Sequence, residues 1–388
     1  MNYFREDRVI NFLIIMIAFS SGLCFAELRP EPIGLVETLP ENSSPHWVWV
    51  NDMVYNHMPD GRASLIDGDS GKFLGLLNTG YSFNSLTLPS KGSEIYSAET
   101  YYSRHTRGER TDVVSIYELM TLSLIAEIKI PNKRASTIPT IYNAAMTDND
   151  RFMGIFNYTP AQSLSIVDVV KREFIGEIPI SGCALVYPAG DLSFASICGD
   201  GSLLITYLNE DGTLYDRIRT RSFFDPIEDP VTETPVRHDG IWHFVSFKGL
   251  VHRVDLRHKK AKFLKPWSLF TPQENDQNWR VGGQQHIAIS DHYGKLYSIH
   301  HKGSGDMPNS AKDPGDEVWV YDINKKKRVQ KIALKRIANE IQVTKDKHPL
   351  LFAAFVAIPE IDVYDAISGE FLRTITEIGM TPTGLLVQ

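Results

Sequence analysis

The sequence is poor in cysteine and has no excess of basic charge. Its 388 residues include three cysteines, and no two of them have the C-x-x-C spacing of a redox or zinc motif. The formal net charge is −7, which disfavours a nucleic-acid partner because phosphates require a basic surface. The one basic run, Lys325–Arg328, is short and is predicted to be the solvated tip of a hairpin.

Long apolar runs are also missing, apart from one near the N-terminus. Arg5 and Arg8 precede an apolar stretch over residues 10–19, and small residues follow it. The run is too short for a membrane span, which needs about 20 apolar residues. A charged start, a short apolar run and a small-residue end are typical of a cleaved secretory signal peptide, here over residues 1–26.

Removal of the signal peptide leaves two cysteines, Cys183 and Cys198, in an exported chain of residues 27–388 that we expect in the periplasm. A lipid anchor on Cys24 is the alternative to cleavage, but Leu23 stands where lipoprotein processing prefers a small residue. Two cysteines in an oxidising compartment predict one disulfide, here across a hairpin, rather than a redox or metal site. A closed loop of this length stabilises a fold by about 3 kcal/mol in the chain-entropy model.

One phrase recurs along the chain: an alternating apolar strand, an acidic or amide residue, a short turn and a second apolar strand. Strict alternation indicates strands that are packed on both faces, and helical repeats would instead show apolar spacings of three and four. The acidic residue can accept hydrogen bonds from the amides of its own turn. The seven copies are closed by Asp67, Glu118, Asp168, Asn209, Asp255, Asp322 and Asp365.

Seven hairpin-bearing units predict an all-β fold, a seven-bladed β-propeller with four-stranded blades. A single hairpin cannot bury its apolar face, whereas blades of about 40–50 residues arranged around an axis bury all of them. The interval between Asp255 and Asp322 is the longest, at 67 residues, and must hold an insertion. Such an insertion is either a functional loop or variable surface.

No catalytic set is recognisable, because the chain has no G-x-S-x-G elbow, P-loop or H-E-x-x-H motif. His300-His301, with His286, His292 and Asp306, is the best metal candidate. It is disfavoured because adjacent strand residues point to opposite faces. The charge-dense segment 104–112 is predicted to be a loop with internal ion pairs, either a partner contact or a solvated face. We therefore predict no catalytic, metal or cofactor site on this chain.

Several segments in order resemble the amine dehydrogenase heavy (large, alpha) subunit family, from about residue 35 to the C-terminus. They are residues 102–113 (YSRHTRGERTDV), 182–183 with 197–203 (GC and ICGDGSL), 279–284 (WRVGGQ) and 312–320 (KDPGDEVWV).

Within that family, three segments are closer to the aromatic-amine branch than to the methylamine branch. These are residues 72–76 (KFLGL), 198–201 (CGDG) and 266–269 (PWSL).

The resemblance implies a large, non-catalytic subunit of a periplasmic quinoprotein amine dehydrogenase, a heterotetramer of two large and two small subunits. The partner small subunit would carry tryptophan tryptophylquinone and oxidise primary amines to aldehyde and ammonia, with electrons passing to a blue-copper protein of azurin or amicyanin type. It also implies that Tyr81 lies at the mouth of the substrate channel, the alternative being an aromatic that packs between blades. The alternative for the whole chain is a stand-alone extracytoplasmic propeller that binds a ligand or protein without catalysis.

Overall fold

The computed structural model describes residues 38–40, 43–303 and 312–388. The predicted signal peptide (1–26) and Asp306 lie outside the described residues. Residues 38–388 form one compact unit. No helix within the described ranges is long and apolar enough to cross a membrane.

The described chain consists almost entirely of strands arranged in six antiparallel or mixed sheets. The eight-stranded sheet contains β1 (Trp47–Asp52), β2 (Gly61–Asp67), β3 (Phe73–Gly80), β4 (Ser85–Thr87), β5 (Glu94–Arg104), β6 (Arg107–Glu118), β7 (Leu124–Ile130) and β29 (Pro382–Val387).

Three four-stranded sheets follow along the chain. They contain β8 (Ala144–Met146), β9 (Phe152–Asn157), β10 (Ser163–Asp168) and β11 (Glu173–Pro179); β12 (Cys183–Gly190), β13 (Ser193–Cys198), β14 (Leu203–Leu208) and β15 (Leu214–Arg219); and β16 (Val236–His238), β17 (Ile241–Val245), β18 (Leu250–Asp255) and β19 (Lys262–Ser268).

The last two sheets have five and four strands. They contain β20 (Trp279–Val281), β21 (Ile287–Ser290), β22 (Lys295–Lys302), β23 (Gly315–Asp322) and β24 (Lys327–Ala338); and β25 (Glu340–Val343), β26 (Leu350–Ala354), β27 (Glu360–Asp365) and β28 (Phe371–Thr376). The short helices are two 3-10 turns (Tyr55–Asp60 and Ile141–Asn143) and α1 (Pro272–Asp276).

The eight-stranded sheet is two antiparallel four-stranded units joined edge to edge. The first has the order β29-β1-β2-β3 and the second the order β4-β5-β6-β7. A single parallel pair, Gly80 with Thr100, joins β3 to β5. In the first unit the C-terminal strand β29 pairs with the N-terminal strand β1, Val387 lying opposite Val48, so the two ends of the fold are fastened together.

The apolar core lies between neighbouring sheets, as strand alternation requires. Val48 and Val50 of β1 pack in the cluster shared with β26 and β27, while Trp49 packs on the other side with Ile95 and Tyr117. Strands of neighbouring sheets contact one another, β4 with β8, β8 with β12, β16 with β21, β21 with β25 and β25 with β29. The sheets are therefore stacked around a common axis, and the all-β prediction is confirmed.

The recurring acidic residues close the turns that follow their strands. A carboxylate oxygen of Asp322 accepts from the N–H groups of Asn324 (3.1 Å) and Lys325 (2.9 Å). Asp365 accepts in the same way from the N–H of Ser368, at 2.6 Å. Their recurrence is explained by turn geometry, because such side chains fix the backbone of a tight turn.

The basic run lies at the β23–β24 hairpin tip, as predicted, but its last member is not simply solvated. Lys325 is 75% exposed in its side chain. The guanidinium of Arg328 instead donates to Glu274 at 2.5 Å and lies 4.3 Å from the ring centre of Trp319. The long interval before Asp322 is explained by α1 and the extra strand β20, which the other intervals lack.

Candidate functional site

Tyr81 lies in the short link between β3 and β4, where one unit of the eight-stranded sheet gives way to the next. Its N–H donates to the carbonyl of Thr100 at 2.7 Å. The flanking residues Gly80 and Ser82 both have left-handed backbones, with φ of 74° and 60°. A Cβ on Gly80 would lie 2.5 Å from the Thr100 carbonyl oxygen, so only glycine allows this close approach.

The side chain of Tyr81 packs on the neighbouring unit and keeps part of its surface exposed. Its ring meets that of Tyr102 on β5 edge-on, with centres 5.3 Å apart and planes at 73°. This is a favourable geometry for two aromatic quadrupoles. Tyr55, in the adjacent 3-10 turn, is 66% exposed. Tyr81 is thus neither a fully buried residue between sheets nor a free surface residue.

The charge-dense segment 104–112 was predicted to be a loop, but it is mostly strand: it forms the tip and returning strand of the long β5–β6 hairpin. His105, at the tip, has a left-handed backbone, and its ring lies 5.3 Å from that of His57. The internal ion pair predicted here is present: the guanidinium of Arg110 donates two bonds of 2.8 Å to the buried carboxylate of Asp112. The tip residues are exposed.

Sequence reasoning missed a buried carboxylate below this hairpin. Glu99 on β5 is fully buried and accepts hydrogen bonds from the hydroxyls of Ser115 (2.6 Å), Tyr101 (2.7 Å) and Tyr117 (3.0 Å). Burial raises the pKa of Glu99, and the hydroxyl donors oppose that rise. Its place in the alternating strand, at a position facing the core, was the one available signal.

Three of the four histidines considered as metal ligands, His286, His300 and His301, are buried. His300 is buried and stacks on Trp319 with ring centres 4.3 Å apart. His286 is buried too, with Thr232 Oγ1 3.0 Å from its Nε2. Burial lowers the pKa of His300 well below its usual value and that of His286 to about 3, so both rings are neutral at physiological pH. Among residues 38–40, 43–303 and 312–388, no three His, Cys, Asp or Glu side chains are grouped as metal ligands would be.

A cavity of about 950 Å³ is lined in part by residues of β4, β8 and β29. Its wall includes Trp242, whose indole N–H donates to the Pro188 carbonyl at 3.1 Å. The guanidinium of Arg237 donates two bonds of 2.5 and 2.7 Å to Asp148. Two of its charged groups are therefore engaged with each other, and Lys345 is a third on the same wall.

Cys183 and Cys198 form the cross-strand disulfide predicted from their spacing. They lie directly opposite each other in the β12–β13 pair, and each is 2% exposed. They line a second cavity of about 520 Å³. An ion pair of Lys312 with Glu233, at 3.0 Å, also lines that cavity.

The chain resembles one family along almost its whole described length. The model of the methylamine dehydrogenase heavy chain (MADH) family matches residues 45–387. The methylamine dehydrogenase heavy chain of Methylophilus methylotrophus is 27% identical over 391 residues, which cover 97% of this chain and 94% of that protein. The heavy chain of Methylobacillus flagellatus is 28% identical over 320 residues, 82% of this chain and 79% of that protein.

The fold resembles solved β-propellers. The β-propeller domain of Cps50 (Swd1) from Myceliophteria thermophila superposes with a TM-score of 0.55, covering 86% of this chain and all of that domain. Sequence identity there is 10%, so this likeness concerns the fold alone.

Proposed function

This chain belongs to the methylamine dehydrogenase heavy chain family, and on that premise we propose that it is the large, non-catalytic subunit of a periplasmic quinoprotein amine dehydrogenase. The observation that carries the proposal is the family match over residues 45–387, which includes every described strand. Relatives of the same name cover as much as 97% of the chain.

The proposed architecture is a ring of seven four-stranded blades. The two units of the eight-stranded sheet share one parallel residue pair, so each counts as a blade of its own. Together with the other five sheets they make seven units, the same number as the acidic or amide turn residues of the sequence. Pairing of β29 with β1 supports closure of the ring, which removes exposed sheet edges around the axis.

The proposed partner is a small subunit, two copies of which assemble with two large chains. Tryptophan tryptophylquinone on that small subunit would supply the oxidation of a primary amine to aldehyde and ammonia, with electrons leaving to a blue-copper protein of azurin or amicyanin type. The present chain would bind the small subunit and form one wall of the substrate channel. Export to the periplasm follows from the predicted signal peptide.

Within this proposal Tyr81 contributes an aromatic surface at the channel mouth. Its partly exposed ring, its contact with Tyr102 and its fixed backbone support that role, because a channel wall must be both accessible and ordered. The exposed hairpin tip beside it is suited to contact a partner. The aromatic-amine preference inferred from residues 72–76, 198–201 and 266–269 is part of the proposal, although the relatives compared above are named for methylamine.

Co-expression tests the proposal. The chain is produced with a tag, together with a cysteine-rich small-subunit gene from its own genome, and is purified from the periplasm. We expect a heterotetramer that absorbs visible light and oxidises primary amines with a blue-copper acceptor. A colourless monomer, from a genome without such a gene, would support the stand-alone propeller instead. Amine oxidation by the large chain alone would contradict its non-catalytic role.

A further inference from the structure

Arg134 is a charged residue buried at the base of the Tyr81 link. The residue is only 2% exposed, yet its side chain donates hydrogen bonds to three acceptor atoms. Nε donates to Thr100 Oγ1 at 2.8 Å, and Nη1 donates to the carbonyls of Phe83 (3.1 Å) and Ala135 (3.3 Å). Burial lowers the pKa of Arg134 to about 10, so the guanidinium remains charged at neutral pH.

These bonds reach the Tyr81 link from both sides. Thr100 accepts from the N–H of Tyr81 through its carbonyl and from Arg134 through its hydroxyl. Phe83 accepts from Arg134 through its carbonyl, and its N–H donates to the carbonyl of Ser136 at 3.0 Å. The guanidinium therefore binds Phe83 of the link directly, and it also binds Thr100, whose carbonyl holds Tyr81.

Asp112 connects the backbone of Arg134, and the Thr100 hydroxyl that its guanidinium binds, to the charge-dense hairpin. It is fully buried and accepts from the Thr100 hydroxyl at 2.9 Å and from the backbone N–H of Arg134 at 3.1 Å. Arg110, already paired with Asp112, also donates to the Arg134 carbonyl at 2.9 Å. Arg110 and Asp112 of the hairpin thus orient Thr100 and Arg134. An ion pair that only stabilised an exposed hairpin would not need these contacts.

Stability alone does not explain a charge at this position. A buried ionic group gives little or no net stability relative to a well-packed apolar side chain, because desolvation offsets its attractions. Here one donor, Nη2, has no hydrogen-bond partner in the part of the chain that the structure describes. The guanidinium instead fixes the positions of two carbonyl groups and one hydroxyl, because it donates hydrogen bonds to them in a defined geometry.

We propose that Arg134, held by Asp112 and Thr100, is a positioning residue that sets the conformation of the Tyr81 link and thereby the selectivity of the channel wall. The inference rests on the proposed function where it concerns amine selectivity, because that effect can be measured only in a complex that oxidises amines. The positioning itself is a property of this chain and can be measured without a partner. Arg134 touches no reacting atom and acts only through the backbone of the link.

The first test uses the purified large chain. Arg134→Met removes the donors at similar side-chain length. We expect amide hydrogen exchange of a peptide over residues 80–86 to accelerate roughly tenfold, the effect of losing about one hydrogen bond to a charged group. Arg336→Met is the matched control, since Arg336 is bound to Asp362 in another sheet at 2.9 and 2.6 Å. It should lower the melting temperature without accelerating exchange over residues 80–86.

The second test uses the assembled complex with methylamine and phenylethylamine as probes. Arg134→Met should change the ratio of their kcat/KM values roughly five- to tenfold, in the same direction as Tyr81→Ala. In the double variant the two changes should not multiply, because both act on one element. Arg134→Lys, which keeps the charge but places its donors on a single nitrogen, should restore part of the wild-type ratio. Arg336→Met should leave the ratio unchanged.

Unchanged exchange over residues 80–86 in Arg134→Met would overturn the inference, and so would multiplicative effects in the double variant. If Arg134→Met does not fold, Thr100→Val replaces it, and the same exchange readout decides. A wild-type chain that assembles with no quinone subunit would refute the proposed function. The hydrogen-exchange test would still show whether Arg134 positions the Tyr81 link.

Discussion

Loss of the Cys183–Cys198 disulfide should destabilise the chain by an amount that can be calculated. The cysteines are 15 residues apart, and cross-linking a loop of that size removes entropy from the unfolded chain that is equivalent to about 3 kcal/mol of stability at 25 °C. At about 2.1 cal/mol/K per residue, the total unfolding entropy of the unit formed by residues 38–388 is roughly 0.7 kcal/mol/K. The expected decrease in melting temperature for Cys183→Ser is therefore about 4 °C.

The assay is thermal denaturation followed by circular dichroism, with and without reductant. Reduced wild-type protein should melt at the temperature of Cys183→Ser, and reductant should not alter the variant. Amine selectivity of the assembled complex should be unchanged, because the disulfide joins β12 to β13, whereas Tyr81 lies in the link between β3 and β4 of another sheet. Equal melting temperatures of wild type and variant under oxidising conditions would refute the reasoning.

Three further predictions concern single side chains. Tyr81→Ala should change the kcat/KM ratio of bulky to small amines about tenfold in the assembled complex, and a flat profile over an amine panel would remove Tyr81 from the channel. Glu340 is fully buried, and neither of its carboxyl oxygens has a partner among the described residues. Burial raises its pKa well above the usual 4.5, so its stabilising contribution is complete below pH 4.5 and is lost as pH rises. Glu340→Gln should therefore become more stable relative to wild type by up to about 1.4 kcal/mol per pH unit above 4.5, whereas a constant difference in melting temperature would contradict this. The hydrogen bonds from Arg257 lower the pKa of Asp255 to about 2, so Asp255→Asn should cost about 1 kcal/mol at pH 7, and denaturation curves should converge as pH falls from 3.8 toward 2.

Strand alternation and turn chemistry made most of the fold predictable. An Asp after an alternating strand has a local function, since Asp322 and Asp365 bind amides two or three residues ahead. Such interactions are encoded in a few adjacent residues and can be read without tertiary information. The cysteine pair was predictable for a similar reason, because its partners are close in sequence and flank one hairpin.

The candidate site was less predictable, because its parts are distant in sequence. Tyr81 was identified by resemblance, whereas Glu99 and Arg134 carried no recognisable motif. Arg134 looks like an ordinary surface arginine in its polar stretch, yet it donates to Phe83, which lies 51 residues earlier. Arg328 was likewise predicted to be solvated, and its packing on Trp319 depends on a cross-strand neighbour.

The sequence by itself determined the strands and the turns that follow them, because these depend on interactions within a few residues. The tertiary structure decided which charged side chains are buried and what they bind. Burial depends on how neighbouring sheets stack, and the free energy of a charge depends on that environment rather than on its neighbours in the chain. The environment of Arg134, which joins the Tyr81 link to the β5–β6 hairpin, exists only once those sheets have packed together.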